Sequence, residues 1–291
     1  MKNNLLREKL DNNKIILVPG IYDSFGALMA ERAGFEALYV SGASISYTKL
    51  GSPDLGFVSM SEVAAIVGNI SERTSLPLIV DADTGFGNAL NVQRTIKVFE
   101  KAGASAIQIE DQLLPKRCGH LDGKTLITDQ EMCGKIKAAL DSRVNSSTLI
   151  IARTDAVGVE GFESALDRAQ MYYEAGADIL FIEAIQDEIQ IAEAMKNFGK
   201  KVPLLANMVE GGKTPLLSAP ELEKLGFSIV IFPGGLVRAF ARTAQEYFKS
   251  LYETGSTKAK IDEMYSFDEL NQLLGTKEIL EMGKTYDTNK K

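Results

Sequence analysis

Asp81 and Asp83 stand two residues apart directly after the apolar run Pro77-Leu78-Ile79-Val80, and Glu110 closes a second such run, Ala106-Ile107-Gln108-Ile109. In an extended backbone, side chains at i and i+2 point to one side of the strand, so the two aspartates are expected to share a face. Carboxylates at the mouth of a buried strand suit a hard, oxygen-preferring divalent cation. Mg²⁺ fits before Zn²⁺, with Mn²⁺ as the substitute, because no His or Cys lies beside them. Just beyond comes Lys116-Arg117-Cys118-Gly119-His120, which holds the chain's single histidine and one of its two cysteines. Each signal alone has a plainer explanation. Asp-x-Asp also occurs in helix caps and solvated turns, and a lone cysteine commonly acts as a small core hydrophobe. Position tips the balance here, since Cys118 follows Pro115 in a glycine-containing loop with little core to fill. Cys133, inside a helical pattern, reads as packing.

The elements that must position these groups alternate along the chain. Strand-like runs recur at Ile15–Pro19, Ala37–Ser41, Leu78–Asp81, Ala106–Glu110, Leu149–Arg153, Ile179–Glu183, Leu204–Asn207 and Ile229–Phe232. Helical patterns follow them at Asp23–Ala33, Ser61–Thr74, Ala89–Ala102, Asp129–Leu140, Gly161–Ala175, Ile189–Asn197, Ala219–Leu225 and Gly234–Tyr252. Ala-Gly pairs at Ala33-Gly34, Ala102-Gly103 and Ala175-Gly176 stop three helices just before the next strand. Strands with continuous rather than alternating apolar character are covered on both faces, as in parallel sheets. The alternation predicts an α/β chain folded as a TIM-type (β/α)8 barrel. A doubly wound open sheet competes less well, because no Gly-x-Gly-x-x-Gly follows the first strand. Without a low-complexity linker, residues 1–291 read as one domain. Leu5, Leu6 and Leu10 mark an amphipathic helix within Met1–Asn13, and residues 257–291 form a helical tail with helices expected at Phe267–Leu274 and Lys277–Met282.

In such barrels the chemistry gathers at the C-terminal ends of the strands. Those ends read Ser41-Gly42-Ala43, Asp81/Asp83, Glu110, Arg153, Glu183, Asn207 and Pro233. They supply three acids fit for a metal, an arginine able to clamp a carboxylate with two hydrogen bonds, and amide and hydroxyl donors. Taken alone, Ser41-Gly42-Ala43 is equally a plain strand-to-helix turn and Arg153 equally a structural ion-pair partner.

Asp-x-Asp-x-Gly-x-Gly at Asp81–Gly87, Glu110-Asp111 and Lys116–His120 together resemble the isocitrate lyase and phosphoenolpyruvate mutase superfamily, over nearly the whole chain. The Lys-Arg-Cys-Gly-His loop resembles its carbon–carbon lyase branch; the phosphonomutases carry Asn in place of this Cys. The resemblance implies a Mg²⁺-dependent lyase, with Asp83 as direct ligand and Asp81 and Glu110 holding metal-bound waters. It places Tyr39, Ser41, Gly42, Ala43, Gly119, Arg153, Glu183 and Asn207 around the substrate. Cys118 becomes the acid that protonates the departing carbanion, with Lys116, Arg117 and His120 easing its thiolate; His120 as the acid is the rival. The loop Leu113–Lys124 is expected to close over substrate. Asn207-Met208-Val209-Glu210-Gly211-Gly212-Lys213-Thr214-Pro215 lacks the Ser-rich stretch of isocitrate lyases and the Thr-Glu-Phe-Gly usual in methylisocitrate lyases. It is more similar to the branch acting on 2-alkylmalates, and Pro233 stands where the oxaloacetate hydrolases of that branch carry Ser. The substrate so implied is (2R,3S)-2,3-dimethylmalate, cleaved to propionate and pyruvate, with 2-methylisocitrate next and a catalytically silent dicarboxylate binder as the different-class alternative. A homotetramer of two dimers, each swapping its last barrel helix, completes the expectation.

Composition bounds the partners. With 45% hydrophobic and 24% charged residues, the 291-residue chain is ordinary for a folded domain of this size. A net charge of −7 and no basic stripe argue against nucleic acid. An anionic substrate must therefore be held by local cations and metal. Two cysteines and no apolar N-terminal segment point to a cytoplasmic, unsecreted protein, and no run approaches the roughly 20 apolar residues of a membrane span.

Overall fold

The computed structural model describes residues 2–12 and 14–287. Eight parallel strands close into a barrel in sequence order. They are β1 (Ile16–Ile21), β2 (Leu38–Val40), β3 (Leu78–Asp81), β4 (Ala106–Glu110), β5 (Leu149–Thr154), β6 (Ile179–Ile182), β7 (Leu204–Asn207) and β8 (Ile229–Phe232). Pairing of Ile16–Pro19 with Ile229–Phe232 closes the ring. The helices are α1 (Lys2–Asp11), α2 (Ser24–Arg32), α3 (Gly42–Ile45), α4 (Met60–Arg73), α5 (Ala89–Ala102), α6 (Asp129–Ser142), α7 (Phe162–Glu174), α8 (Glu188–Phe198), α9 (Ala219–Leu225), α10 (Gly235–Thr254), α11 (Phe267–Leu274) and α12 (Thr276–Thr285). α3 and the wide helical turn Ser46–Leu50 after it were not expected from the sequence. Local chemistry sets the helix ends: Ser59 and Glu62 form a reciprocal cap on α4, Asn88 and Asn91 another on α5, and Gly103 ends α5 in the left-handed region.

Strand parity explains the continuous hydrophobicity. Leu78, Val80, Ile107, Ile109, Ile150 and Ala152 pack outward among the helices. Ile79, Ala106, Leu149, Ile151, Ile179, Phe181, Leu205, Ile229 and Ile231 fill the barrel with Tyr39. Counting on by twos from the inward set reaches Asp81, Gln108, Glu110, Arg153, Glu183 and Asn207. A side chain that would continue the core thus becomes polar where β3 to β7 leave the barrel. Leu6 of α1 is fully buried within the interior cluster, Leu10 packs against it half-buried, and Leu5 stays exposed.

The chain divides into two compact units, Met1–Val237 and Arg238–Lys291. The division falls within α10, ahead of the tail expected from Thr257. The second unit comprises the rest of α10, a tight helical turn at Lys258–Glu263, α11 and α12. Ser266 and Glu269 cap α11 reciprocally, and Phe240, Phe248, Tyr252, Phe267, Ile279 and Leu280 are exposed. Among the described residues, no helix is long and apolar enough to cross a membrane.

Candidate active site

At the C-terminal mouth of the barrel, Asp81 and Asp83 meet, but not through an extended backbone. β3 ends at Asp81, and Asp83 turns into the left-handed region at φ 46°, so that its N–H donates to Asp81 Oδ1 at 3.1 Å. The same turn lets the Asp83 carbonyl accept the Glu110 N–H at 2.9 Å, which ties β3 to β4. The i, i+2 expectation therefore reached the right pair by the wrong geometry. Gly42 opens α3 against this pair: a Cβ there would lie 3.1 Å from Asp81 Oδ2. Ser41 caps α3 by accepting the Ser44 N–H, leaving the Gly42 and Ala43 N–H groups on the open first turn.

Tyr39 reaches inward beneath them. Its hydroxyl donates to Gln108 Oε1 at 3.0 Å, and Gln108 Nε2 donates to Asp81 Oδ1 at 3.3 Å. Lys116 arrives from the loop after β4, with Nζ 2.6 Å from both Asp83 Oδ1 and Asp54 Oδ1. Burial alone would lower the lysine, but Asp83, Glu110 and Asp54 overturn this and hold the ammonium well above its ordinary range. Lys116 is a fixed cation here, not a base.

Arg153 sits opposite. It donates through Nε and Nη2 to both oxygens of Asp155 at 3.0 Å, while Nη1 lies 3.4 Å from Glu110 Oε2 and Nη2 lies 3.3 Å from Glu183 Oε2. The guanidinium also stacks 5.1 Å from the Phe181 ring centre. Glu183 Oε2 accepts from Asn207 Nδ2 at 2.9 Å, and Oε1 accepts the N–H of Ala184, another left-handed residue at φ 64°. Backbone strain at Asp83 and Ala184, neither of them glycine, thus falls at the barrel mouth.

The loop Leu113–Lys124 folds across Arg153 and Glu183. A Cβ on Gly119 would run into Arg153 Nη2 and the Glu183 side chain, so glycine is required there. Gln112 accepts the Arg117 N–H and donates to the Arg117 carbonyl, while Lys124 Nζ donates to the Gly119 carbonyl and pairs with Asp155 at 3.3 Å. His120 Nε2 lies 3.4 Å from Glu183 Oε1, and His120 Nδ1 accepts the Lys213 N–H at 3.2 Å. Burial is the main cause that lowers the His120 pKa; Glu183 and Asp155 oppose it, Arg153 and Lys124 reinforce it, and the net shift is downward, so the ring is neutral at pH 7.

Cys118 is half-buried and free. Burial pushes its thiol up, against the opposing hydrogen bond from the His120 N–H and the charge of Arg153. The expected cationic support from Lys116, Arg117 and His120 is not what the fold provides. Lys116 is committed to Asp54 and Asp83, Arg117 is exposed and donates to the Asp122 carbonyl at 2.9 Å, and the imidazole is neutral. Cys118 is therefore a protonated thiol, suited to giving a proton.

Around the mouth, the buried carboxylates Asp54, Asp81, Asp83, Glu110, Asp155 and Glu183 outnumber the buried cations Lys116, Lys124 and Arg153. Burial pushes Asp83 up to about 7 and Glu110 up as well. Glu110 Oε1, buried, has no hydrogen-bond partner among the described residues. An all-oxygen donor set with surplus negative charge and an unsatisfied carboxylate oxygen fits a hard divalent cation. Asp54, Gln108, Lys124 and Asp155 were not singled out in the sequence. Asp155 had a signal available, since Arg-x-Asp at a strand end repeats the spacing of Asp81 and Asp83. Asp54 had none, because it lies in the irregular segment between the Ser46–Leu50 turn and α4.

The chain is similar to several known proteins. The family described as phosphoenolpyruvate phosphomutase matches residues 6–252. A 2-methylisocitrate lyase of Aeropyrum pernix is 48% identical over 93% of this chain and 86% of its own. A 2,3-dimethylmalate lyase of Eubacterium barkeri is 44% identical over 98% of both chains. The crystal structure of a 2,3-dimethylmalate lyase, described as a PEP mutase/isocitrate lyase superfamily member, superposes with a TM-score of 0.93 at 34% identity, covering 98% of this chain and 95% of that one. The chain belongs to the phosphoenolpyruvate phosphomutase family, within the PEP mutase/isocitrate lyase superfamily.

Proposed function

We propose that the protein is a Mg²⁺-dependent lyase that cleaves the C2–C3 bond of (2R,3S)-2,3-dimethylmalate to give pyruvate and propionate. The observation that carries this reading is the free, half-buried Cys118 in the same loop as Gly119, which abuts the Arg153–Glu183 pair, with the acid cluster beside them. Asp83 would hold the metal, with Asp81 and Glu110 beside it. Mg²⁺ would act there as a Lewis acid toward the 2-oxygen and adjacent carboxylate of the pyruvate half. Gly42 and Ala43 N–H groups and the Ser41 hydroxyl receive that carboxylate, with Tyr39 fixing Asp81 through Gln108. Arg153, aligned by its two bonds to Asp155, binds the carboxylate of the departing half. As the C2–C3 bond breaks, the 2-hydroxyl proton passes to the acid cluster and Cys118 protonates C3. Asn207 holds Glu183, and Lys116 offsets the charge of Asp83.

2-Methylisocitrate is the second reading, supported by the 48% identity to a lyase of that name, against the nearly full-length match to a 2,3-dimethylmalate lyase. A lyase assay with both substrates, reading pyruvate and then propionate or succinate, decides between them. The expected result is a higher kcat/KM for dimethylmalate. A tenfold preference for methylisocitrate, about 1.4 kcal/mol in transition-state binding, would make that the substrate. Cleavage of neither would remove the lyase reading.

We further assign the exposed apolar side chains of the unit Arg238–Lys291 to burial against other copies of the chain in a homotetramer, measurable by light scattering. The two free cysteines fit a reducing, cytoplasmic setting.

A further inference from the structure

The loop after β7 places its backbone against the imidazole of His120. The Lys213 N–H donates to His120 Nδ1 at 3.2 Å, and a Cβ on Gly212 would lie 2.8 Å from both Nδ1 and Cε1 of the ring. The other ring nitrogen is buried, has no well-aligned hydrogen bond among the described residues, and lies 3.4 Å from Glu183 Oε1. Nearby, Glu110 Oε1 and Asn207 Oδ1 are also buried without hydrogen-bond partners among the described residues, and Arg153 and Glu183 connect all three groups.

A neutral imidazole carries one N–H. Placing it on Nδ1 would set two N–H groups head to head at Lys213 and turn the Nε2 lone pair toward a carboxylate. Both contacts are unfavourable. Placing it on Nε2 satisfies the Lys213 N–H and aims a donor at Glu183 and the site. Protonating both nitrogens brings back the clash at Lys213, and burial with the charges of Arg153 and Lys124 opposes it more than Glu183 and Asp155 favour it.

We propose that the Gly212–Lys213 backbone is a positioning element that locks His120 as the Nε2–H tautomer, making it a fixed hydrogen-bond donor into the site rather than the proton-donating acid. A neutral Nε2–H imidazole would have to become an imidazolate to give up that proton, so protonation of the carbanion is left to Cys118. This deepens the lyase reading and rests on it for its catalytic meaning; the tautomer itself does not depend on which substrate is cleaved.

Because the chain has a single histidine, its ring nitrogens can be read without assignment by ¹⁵N NMR of full-length, ¹⁵N-histidine-labelled, Mg²⁺-loaded protein without substrate. The expected pattern at pH 7 is protonated Nε2 and unprotonated Nδ1. Lys213→Pro removes the N–H, and Gly212→Ala displaces the ring. Each should lose the single-tautomer pattern and lower kcat more than it raises KM, with the folded state checked by thermal unfolding. Asp122→Asn removes only the exposed ion pair of Asp122 with Lys213 Nζ, at 2.8 Å, and should keep the pattern. Protonated Nδ1 in the wild type would overturn the proposal, as would an unchanged pattern in both loop variants. Failure of the lyase assay alongside the expected pattern would overturn the substrate reading alone.

Discussion

At Cys118, burial raises the thiol pKa, and the residues around it do not undo that shift. A thiol raised above the ordinary cysteine range stays protonated through neutral pH. Iodoacetamide should therefore alkylate Cys118 slowly at pH 7, with a rate that climbs only above the normal thiol range. Fast alkylation with a midpoint below that range would contradict the burial argument. Cys118→Ser keeps nearly the same volume but offers a much weaker acid. At saturating substrate its kcat should fall by about 10²- to 10⁴-fold, the usual contribution of a positioned acid or base, with Mg²⁺ binding retained. Near wild-type turnover in Cys118→Ser beside an inactive His120→Gln would transfer the proton to the histidine. Among the acids, Asp83→Ala should weaken Mg²⁺ binding in calorimetry more than Asp81→Ala; the reverse order would exchange inner and outer ligands.

The loop Leu113–Lys124 is held by polar bonds within itself and by Lys124 to Asp155. Its close approach to Arg153 depends on Gly119, where a methyl group has no room. Gly119→Ala should push the loop off the Arg153–Glu183 pair, raising KM and lowering kcat together while the unfolding midpoint changes little. A large loss of stability with intact kinetics would show instead that the loop is only a structural cover. At the other end of the barrel, Leu6 is fully buried and Leu5 is exposed, although both lie on α1. Leu6→Ala should cost about 2–5 kcal/mol in urea unfolding, as other buried leucine truncations do, and Leu5→Ala far less. Equal losses would mean that α1 packs through a different face.

For the whole molecule, the excess of buried carboxylates at the barrel mouth is an electrostatic load on the folded state, which the divalent cation of the proposed function would relieve. Mg²⁺ that binds the folded chain and not the unfolded one should stabilise it by about 2.7 kcal/mol at a hundred times its Kd. EDTA should accordingly lower the thermal midpoint and abolish activity, and Mg²⁺ or Mn²⁺ should restore both. An unfolding midpoint indifferent to chelation would separate the carboxylate cluster from metal binding.

The sequence by itself determined the barrel, because strands covered on both faces must be apolar throughout and because each helix stop is written in local chemistry, such as Ala102-Gly103. β3, β4, β7, β8, α5 and α9 fall at the residues expected for them. It also determined the strand-end polar set, since an inward position that turns polar at the end of an apolar run leaves a side chain in the barrel mouth. What it could not determine were pairings made across irregular loops, which follow no period. Asp54 meets Lys116, Lys213 meets His120, and Asp83 meets Asp81 through a left-handed turn rather than an extended one. The state of Cys118 belongs to the same class. A basic loop in sequence implies a supported thiolate, but the fold pairs Lys116 with acids, leaves Arg117 exposed and buries the thiol. Charge in sequence is a count, whereas its effect depends on distance and burial, and those exist only in the folded chain.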